Sequence, residues 1–537
     1  MTRRRLLAAS AAGVALPLAF GADMPRAPVT AEPLDGRRVF LHGVASGDPD
    51  AESVVLWTRA VPGSGSGAVQ VDWFLYADPE LNRPVARGSV PTSDRMDWTV
   101  KVLAQGLDAG TTYYYAFESQ GERSVAGRTR TLPAHGVGRV RLAMASCSNW
   151  TFGFFNVYRQ IAARNDLDLV LHLGDYIYEY GNGTYGDGTR FGRLHSPDRE
   201  IVSLADYRAR YAQYRTDPDL QELHRQHPMV AVWDDHESAD NSWRDGAKNH
   251  NPEAGEGLWP ERKAAAVRAW QEWLPARPGV TASEPRIWRS FALGGMVDLM
   301  MLDTRLYARD REAAAPTDLE VIHDPARTLL GSAQEAWLLD ELTTSKRRGS
   351  HWRILGQQVM FGQLGGYGDQ PILNTDQWDG YPHARQRVLD HLAHGAIDNT
   401  AILTGDIHSS WAMDIARNPF DPAAYDPGTG RGSLAVELVT PSVTSPFLTD
   451  RTRAEERAAE GLTNHPHMRF IDLFHKGYVL LDVTAERLQA EFWHADTIER
   501  RDAGQSLAAV WTTAAGANHL VAGGSASGSA GERPPAP

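Results

Sequence analysis

The chain has 537 residues, of which 42% are hydrophobic and 23% are charged, a composition typical of a large globular protein with two or more domains. Acidic residues outnumber basic ones by 67 to 54, and the formal net charge of −13 argues against a general nucleic-acid-binding surface, which a phosphate backbone would repel. The single cysteine, Cys147, excludes an intrachain disulfide.

The first 30 residues have the layout of an export signal. Arginines at positions 3–5 precede two leucines, and a short Ala-rich apolar run extends to Phe20. This arrangement predicts a Tat-type signal peptide in residues 1–30, and therefore a protein that is secreted or held in the periplasm or cell wall. An amphipathic or disordered N-terminus is the alternative. The apolar run is too short for a spanning helix, and no later segment predicts a transmembrane helix.

Residues 38–133 show short strands of alternating polarity, separated by clusters of Gly, Pro and Asp. The runs at 53–58, 71–76, 98–103 and 111–117 are examples. This pattern predicts an N-terminal β-sandwich of the immunoglobulin or fibronectin type III kind. The segment at 106–115, Gly-Leu-Asp-Ala-Gly-Thr-Thr-Tyr-Tyr-Tyr, resembles the tyrosine corner of such sandwiches.

Between residues 138 and 510 the pattern changes to a layered α/β domain. Strands are predicted at 140–146, 167–173, 229–233, 352–360, 400–404 and 434–439, and a late hairpin at 477–483 and 487–493. Helices are predicted at 154–164, at 203–227 with a break at Pro218, at 260–273, and at 332–343, where Ser-x-x-Glu indicates a capping box. Residues 515–537, rich in Gly, Ala, Ser and Pro, are predicted to form a disordered tail.

Four polar motifs follow strands of the predicted α/β domain. They are Ala145-Ser-Cys-Ser-Asn-Trp150, Gly174-Asp-Tyr-Ile-Tyr178, Trp233-Asp-Asp-His-Glu237 and Gly405-Asp-Ile-His-Ser-Ser410. Each motif alone is compatible with a turn, a helix start or a buried thiol. Ligand sites of open α/β sheets lie at the carboxyl ends of strands, so all four together predict one shared site.

The order of these motifs resembles that of binuclear metallophosphoesterases. The tyrosine three residues after Asp175 is similar to the second motif of purple acid phosphatases. Together with His42-Gly-Val-Ala-Ser-Gly-Asp48, Leu56-Trp-Thr-Arg59 and Trp493-His-Ala-Asp496, the motifs identify the chain as similar to PhoD-type alkaline phosphatases and phosphodiesterases over residues 38–500. That group includes iron-dependent bacterial phospholipase D. The resemblance implies a calcineurin-like metallophosphoesterase domain behind the N-terminal β-sandwich.

The resemblance also implies one Fe(III) with calcium nearby. The iron ligands would be Cys147, Asp175, Tyr178 and His408, and the calcium ligands would be the shared Asp175 with Asp235 and Asp406. Thiolate, phenolate, carboxylate and imidazole together suit a ferric ion, whereas additional carboxylates favour Ca²⁺ over Zn²⁺. The assignment of Asp406 rests only on its position, where most of the superfamily has a histidine.

The implied mechanism is in-line attack on the phosphate ester by a metal-bound hydroxide or oxide. No covalent serine is required, so Ser146 and Ser148 are predicted to be bystanders. His236 is the predicted catalytic residue, contacting the phosphate or protonating the leaving alkoxide; the alternative is that it only orients other groups. Asp234 is predicted to be structural. For the loop at 248–250, substrate contact, a further calcium and an ordinary surface loop all stay open.

The predicted function is a secreted metal-dependent phosphoesterase of the alkaline phosphatase D type, hydrolysing phosphomonoesters, phosphodiesters or both. Its predicted partners are small phosphate esters, phospholipid or teichoic-acid-like diesters among them, and the Tat export machinery. One alternative is a phospholipase D that releases head groups from phospholipids. The other is a non-catalytic cell-surface binding protein.

Overall fold

The computed structural model describes residues 39–63, 67–281, 283–365, 371–529 and 531–537. The predicted signal peptide at 1–30 therefore lies outside the described residues. Within the described ranges, no helix has both the length and the apolar character needed to cross a membrane.

The strands and helices alternate through most of the chain. The strands are β1 (Val44–Gly47), β2 (Ser53–Arg59), β3 (Val69–Tyr76), β4 (Pro84–Thr92), β5 (Thr99–Gln105), β6 (Thr112–Ser119), β7 (Glu122–Arg123), β8 (Gly127–Arg130), β9 (Val140–Ala145), β10 (Leu169–His172), β11 (Pro228–Ala231), β12 (Arg289–Leu293), β13 (Val297–Met301), β14 (Trp352–Gly356), β15 (Thr400–Thr404), β16 (Ser410–Ala416), β17 (Ser433–Val439), β18 (Met468–Asp472), β19 (Gly477–Val483), β20 (Arg487–Ala495), β21 (Gln505–Ala514) and β22 (Val521–Ala522). The helices are α1 (Asn156–Ala162), α2 (Leu204–Tyr214), α3 (Pro218–Gln226), α4 (Trp259–Trp273), α5 (Leu319–Ile322), α6 (Gly331–Arg347), α7 (Pro382–His394) and α8 (Arg451–Asn464).

These strands form three sheets. The ten-stranded sheet has the order β22-β21-β20-β19-β9-β10-β11-β1-β2-β5, and the seven-stranded sheet has the order β12-β13-β14-β15-β17-β16-β18. The five-stranded sheet has the order β4-β3-β6-β7, with β8 paired to β6. Strands β9, β10 and β11 are parallel and fully buried. Burial of every residue is expected for parallel strands that are covered on both faces.

The two larger sheets share a core, and the seven-stranded sheet has a second core on its other face. Leu299 and Met301 of β13 pack in the cluster that also contains Leu142 of the ten-stranded sheet. Met300, between them, packs instead with Leu338 of α6. Because successive side chains of a strand alternate between faces, the sheet is covered by the other sheet on one side and by helices on the other. The α/β class of the prediction is confirmed.

The N-terminal strands are continuous with the α/β domain. Ser46 of β1 pairs in parallel with Pro228 of β11, so β1, β2 and β5 extend the ten-stranded sheet. These three strands share a core with β3, β4 and β6 of the five-stranded sheet. The Asp108 backbone N–H donates to the Tyr113 hydroxyl at 2.9 Å, the contact expected of a tyrosine corner. Strands β3, β4 and β6 therefore pack against the ten-stranded sheet, which carries three of the four motifs.

The prediction of a disordered tail is corrected by the structure. In the tail, Arg533 donates to a carboxylate oxygen of Asp168 at 2.6 Å, and the Ala536 N–H donates to the side-chain oxygen of Gln226 at 2.9 Å. Composition indicates how much apolar surface a segment can bury, but it does not predict hydrogen bonds to distant parts of the chain. The described residues of the tail thus lie against the body of the protein.

Helix boundaries confirm one predicted signal and correct another. The predicted break at Pro218 is present, since α2 ends at Tyr214 and α3 begins at Pro218. The capping box predicted at Ser332 is wrong: α6 begins one residue earlier, at Gly331, whose N–H donates to the Thr328 hydroxyl at 2.7 Å. The N-cap residue is Leu330, and its side chain makes no capping hydrogen bond.

Candidate metal centre

The four motifs lie at strand ends that the fold brings to one place. Cys147, Asp175 and Asp235 follow the parallel neighbours β9, β10 and β11, while Asp406 and His408 follow β15 of the seven-stranded sheet. Parallel strands place their carboxyl ends on one edge, which explains why residues so far apart in sequence can meet.

The loop at 440–446, after β17, joins the two edges. The Thr440 hydroxyl donates to the Met144 carbonyl at 3.1 Å, and the Val443 N–H donates to the Ser146 carbonyl at 2.9 Å. Residues of the seven-stranded sheet's loop are thereby fixed against the end of β9. This contact holds the motif around Cys147 beside the one around His408.

Four of the predicted ligands adopt left-handed backbone conformations. The φ angles are +62° at Cys147, +54° at Asp175, +62° at Asp406 and +57° at His408. Such a conformation costs a residue with a side chain about 1–2 kcal/mol. Strain of this kind concentrates at functional sites, where the surrounding structure maintains a special side-chain direction.

The four predicted iron ligands come together. One ligand atom each of Cys147, Asp175 and His408 lies within 4.8 Å of the other two. The Tyr178 hydroxyl is 2.9 Å from Asp175 Oδ2 and 3.1 Å from His408 Nε2. Ligand atoms about 2 Å from a common ion are about 3 Å apart, so these separations fit one shared cation.

Neighbouring groups orient two of these ligands. His408 Nδ1 is 3.2 Å from the Pro446 carbonyl oxygen, which can only accept, so Nδ1 carries the proton and Nε2 presents its lone pair. The Ser445 hydroxyl donates to the Tyr178 oxygen at 2.7 Å. Both orienting groups belong to the same segment after β17.

The predicted calcium ligands form two overlapping groups. Asp235 lies in one group with Asp175 and His236, and in another with Asp234 and Asp406. Asp406 also accepts a hydrogen bond from Arg305 at 2.8 Å, so one of its oxygens already faces a cation. Asp235 is therefore common to the group that contains Asp175 and the group that contains Asp406.

The donor chemistry fits metal ions. Among the described residues, the buried atoms Asp234 Oδ2 and Asp235 Oδ1 have no hydrogen-bond partner. Burial, followed by the charge of Asp175, raises the pKa of Cys147 well above its usual range. Burial also raises the pKa of Asp406 to about 7, although Arg305 opposes the shift. So many buried acids need a positive charge to ionise together, and a bound cation would supply it.

His236 is held by a buried carboxylate. Its Nδ1 lies 2.7 Å from Glu179 Oε2, and its ring stacks on Tyr178 with centroids 4.3 Å apart. The other Glu179 oxygen accepts from the Asp240 N–H at 2.7 Å and from the Asn249 amide at 2.9 Å. Burial alone would lower the pKa of His236, but Asp235 and Glu179 raise it well above its usual range. The imidazole is thus fixed in place by Glu179.

Comparisons with known proteins agree with this geometry. The family described as PhoD-like phosphatase matches residues 142–492, and the PhoD-like phosphatase N-terminal domain matches residues 27–133. The chain belongs to the PhoD-like phosphatase family. It is 36% identical over 512 residues to alkaline phosphatase D of Bacillus subtilis (strain 168), covering 91% of this chain and 84% of that protein. It also matches a solved structure titled "Structure of PhoD" with a TM-score of 0.82 at 34% identity, covering 93% of this chain and 94% of the other.

This PhoD-like phosphatase is therefore a hydrolase of phosphoric esters, and the predicted family resemblance is confirmed. Membership implies dependence on metal ions, for which the clustered side chains are candidate ligands. The identity of the metals and the role of each residue stay predictions.

Three residues that orient this centre in the PhoD-like phosphatase are not in the sequence prediction. Arg305 is fully buried and donates to Asp234 at 2.5 Å and to Asp376 at 2.8 Å, besides its contact with Asp406. Glu179 and Ser445 hold His236 and Tyr178 as described above. Arg305 and Ser445 follow β13 and β17, so the rule that sites form after strand ends would have indicated both.

Asp234 and the loop at 248–250 have distinct contacts. Asp234, predicted to be structural, accepts from Arg305, although it also belongs to a candidate ligand group. Lys248 faces Asp240 at 3.2 Å, and His250 lies 3.4 Å from Glu256. Asn249, between them, donates a hydrogen bond to Glu179, which in turn holds His236.

Proposed function

We propose that this PhoD-like phosphatase hydrolyses phosphomonoesters and phosphodiesters at a centre holding one ferric ion and calcium. The observation that carries the proposal is the convergence of a thiol, a phenol, a carboxylate and an imidazole from three separate strand ends. Cys147, Asp175, Tyr178 and His408 would hold the iron. Asp235 and Asp406, with the shared Asp175, would hold the calcium.

Bound ions would neutralise phosphate oxygens and lower the pKa of the attacking water. Side chains of the protein would carry out the remaining steps. His236, oriented by Glu179, is placed to donate a proton to the departing alkoxide or to a phosphate oxygen. Arg305 balances the charge of Asp234 and Asp376 and thereby maintains the arrangement of the acidic groups.

The substrate class is tested with three compounds. The proposal predicts turnover of p-nitrophenyl phosphate, of bis-p-nitrophenyl phosphate or of both, at rates well above that for phosphatidylcholine. A strong preference for phosphatidylcholine would favour the phospholipase D alternative. The non-catalytic binding alternative is excluded by membership of the phosphatase family. Absence of turnover on all three compounds by protein that retains its metals would contradict the proposed substrate class.

We further propose that residues 1–30 direct Tat export and that the N-terminal strands form an immunoglobulin-like sandwich that supports the catalytic sheet. The twin arginines support the first idea. The shared core and the Tyr113 contact support the second. Replacing Arg3, Arg4 and Arg5 with lysine is expected to retain the protein in the cytoplasm, as measured by cell fractionation; unchanged export would contradict the Tat assignment.

Glu179→Gln is expected to make hydrolysis more sensitive to the leaving group. The variant keeps the side-chain volume but weakens the hold on His236 Nδ1, so kcat for phenyl phosphate should fall by about tenfold or more. The loss for p-nitrophenyl phosphate should be smaller, since its leaving group needs less help from an acid. Steady-state kinetics on both substrates measure the difference.

The matched control is Asn249→Ala, which removes a contact to the other Glu179 oxygen and leaves the His236 contact in place. It is expected to lower kcat for phenyl phosphate and for p-nitrophenyl phosphate by similar small factors. Equal losses on the two substrates in Glu179→Gln would show that Glu179 has only a structural role.

A further inference from the structure

A second group of metal-binding side chains lies where the two larger sheets meet. We call it the sheet-junction cluster: Asp472, His475 and His494. Asp472 ends β18 of the seven-stranded sheet, and His494 belongs to β20 of the ten-stranded sheet. His475 lies in the connection from β18 to β19, which passes from one sheet to the other. The cluster shares no residue with the candidate metal centre.

The distances within the cluster are those of potential ligands of one ion. One ligand atom from each residue lies within 4.8 Å of the other two. His475 Nδ1 is 2.8 Å from Asp472 Oδ2, and the two imidazole rings are nearly parallel, with centroids 4.9 Å apart. At the candidate metal centre, Tyr178 and His408 approach each other at a similar 3.1 Å. The atoms of Asp472 and His475 therefore lie at the separation of two ligands of one cation, and a His494 nitrogen lies within 4.8 Å of both.

The surroundings allow an ion to enter. His494 is buried, whereas the side chains of Asp472 and His475 are 20% and 31% exposed, so solvent reaches the cluster from one side. Lys476, the nearby cation, donates to the Phe474 carbonyl at 2.8 Å and leaves Asp472 Oδ2 to His475. An ion held here would keep water on its open side.

We propose that the sheet-junction cluster binds one first-row transition dication of the zinc class. Two imidazoles and one carboxylate are ligands that such ions prefer, whereas Ca²⁺ and Mg²⁺ prefer oxygen alone. The ion would link β18 to β20 and thereby stabilise the contact between the two sheets. The proposal does not depend on the metals or the mechanism of the phosphatase centre.

Zinc binding to the native full-length enzyme tests the proposal. Protein with its active-site metals in place is dialysed against ZnCl₂, and zinc, iron and calcium are counted per chain by mass spectrometry. We expect wild type to hold one zinc more than His475→Ala or His494→Gln, with equal iron and calcium in all three. Zinc should also raise the melting temperature of wild type and not that of either variant.

His383→Ala is the matched control, because His383 is an exposed histidine beside His323, with ring centroids 6.2 Å apart. It should retain the additional zinc. The His475 side chain is partly exposed, so His475→Ala should fold, and its phosphatase activity shows whether it does. His494→Gln serves as the second variant. Equal zinc content in wild type and in a folded variant would overturn the proposal.

Discussion

His236→Ala is expected to lower kcat by roughly 10²–10⁴-fold while the protein keeps its metals, because general acid catalysis contributes about that much. The side chain is buried, its Nδ1 is bound to Glu179, and nearby carboxylates raise its pKa well above the usual range. Removing the imidazole removes a proton donor and leaves Cys147, Asp175, Tyr178 and His408 in place. Phosphate-release kinetics combined with elemental analysis measure the two effects.

The control for this prediction is His383→Ala, at the exposed position already used as a control for zinc binding. It should leave both kcat and metal content unchanged. If His236→Ala instead loses calcium or iron, His236 is a metal ligand. If kcat is unchanged, the imidazole has no part in the reaction.

Tyr178→Phe is expected to abolish the visible absorption of the native protein. A phenolate bound to a ferric ion produces a charge-transfer band, and phenylalanine cannot coordinate. The substitution keeps the ring that stacks on His236 at 4.3 Å, so the fold of the centre should survive. Cys147→Ser is expected to lose the same band, because the thiolate would belong to the same iron.

Tyr185→Phe is the matched control in the same pocket. The Tyr185 hydroxyl is 3.4 Å from His408 Nδ1, the nitrogen on the side away from the proposed iron. Loss of this hydroxyl should leave the band in place. An unchanged absorption spectrum in both Tyr178→Phe and Cys147→Ser would show that the iron assignment is wrong.

The sequence predicted the parts of this protein that depend on local pattern. Val140–Ala145 and Leu169–His172 are mostly apolar, interrupted only by Arg141 and His172, so both strands and the polar residues after them could be predicted. The class of site followed from several motifs after strand ends, even though each motif alone has an ordinary structural explanation.

Contacts between distant segments could not be predicted in this way. Arg305 and Asp234 are 71 positions apart, and Glu179 and His236 are 57 positions apart. Nothing in the spacing of such residues records that they meet, because the pairing depends on how the two sheets pack.

The same limit explains the errors at chain boundaries. The tail is positioned by hydrogen bonds such as that from Arg533 to Asp168, together with the burial of a single leucine, Leu520, in the main core. The extension of the catalytic sheet by β1 arises from a single parallel pairing with β11. Neither feature leaves a periodic pattern in the sequence.

The central claim is that a metal centre held by these side chains performs the hydrolysis. Elemental analysis of the native protein, together with a phosphate-release assay before and after treatment with a chelator, tests it most directly. We predict one iron per chain with calcium, loss of turnover on chelation, and recovery when calcium is restored. Native protein without iron, or turnover that persists in metal-depleted protein, would contradict the claim.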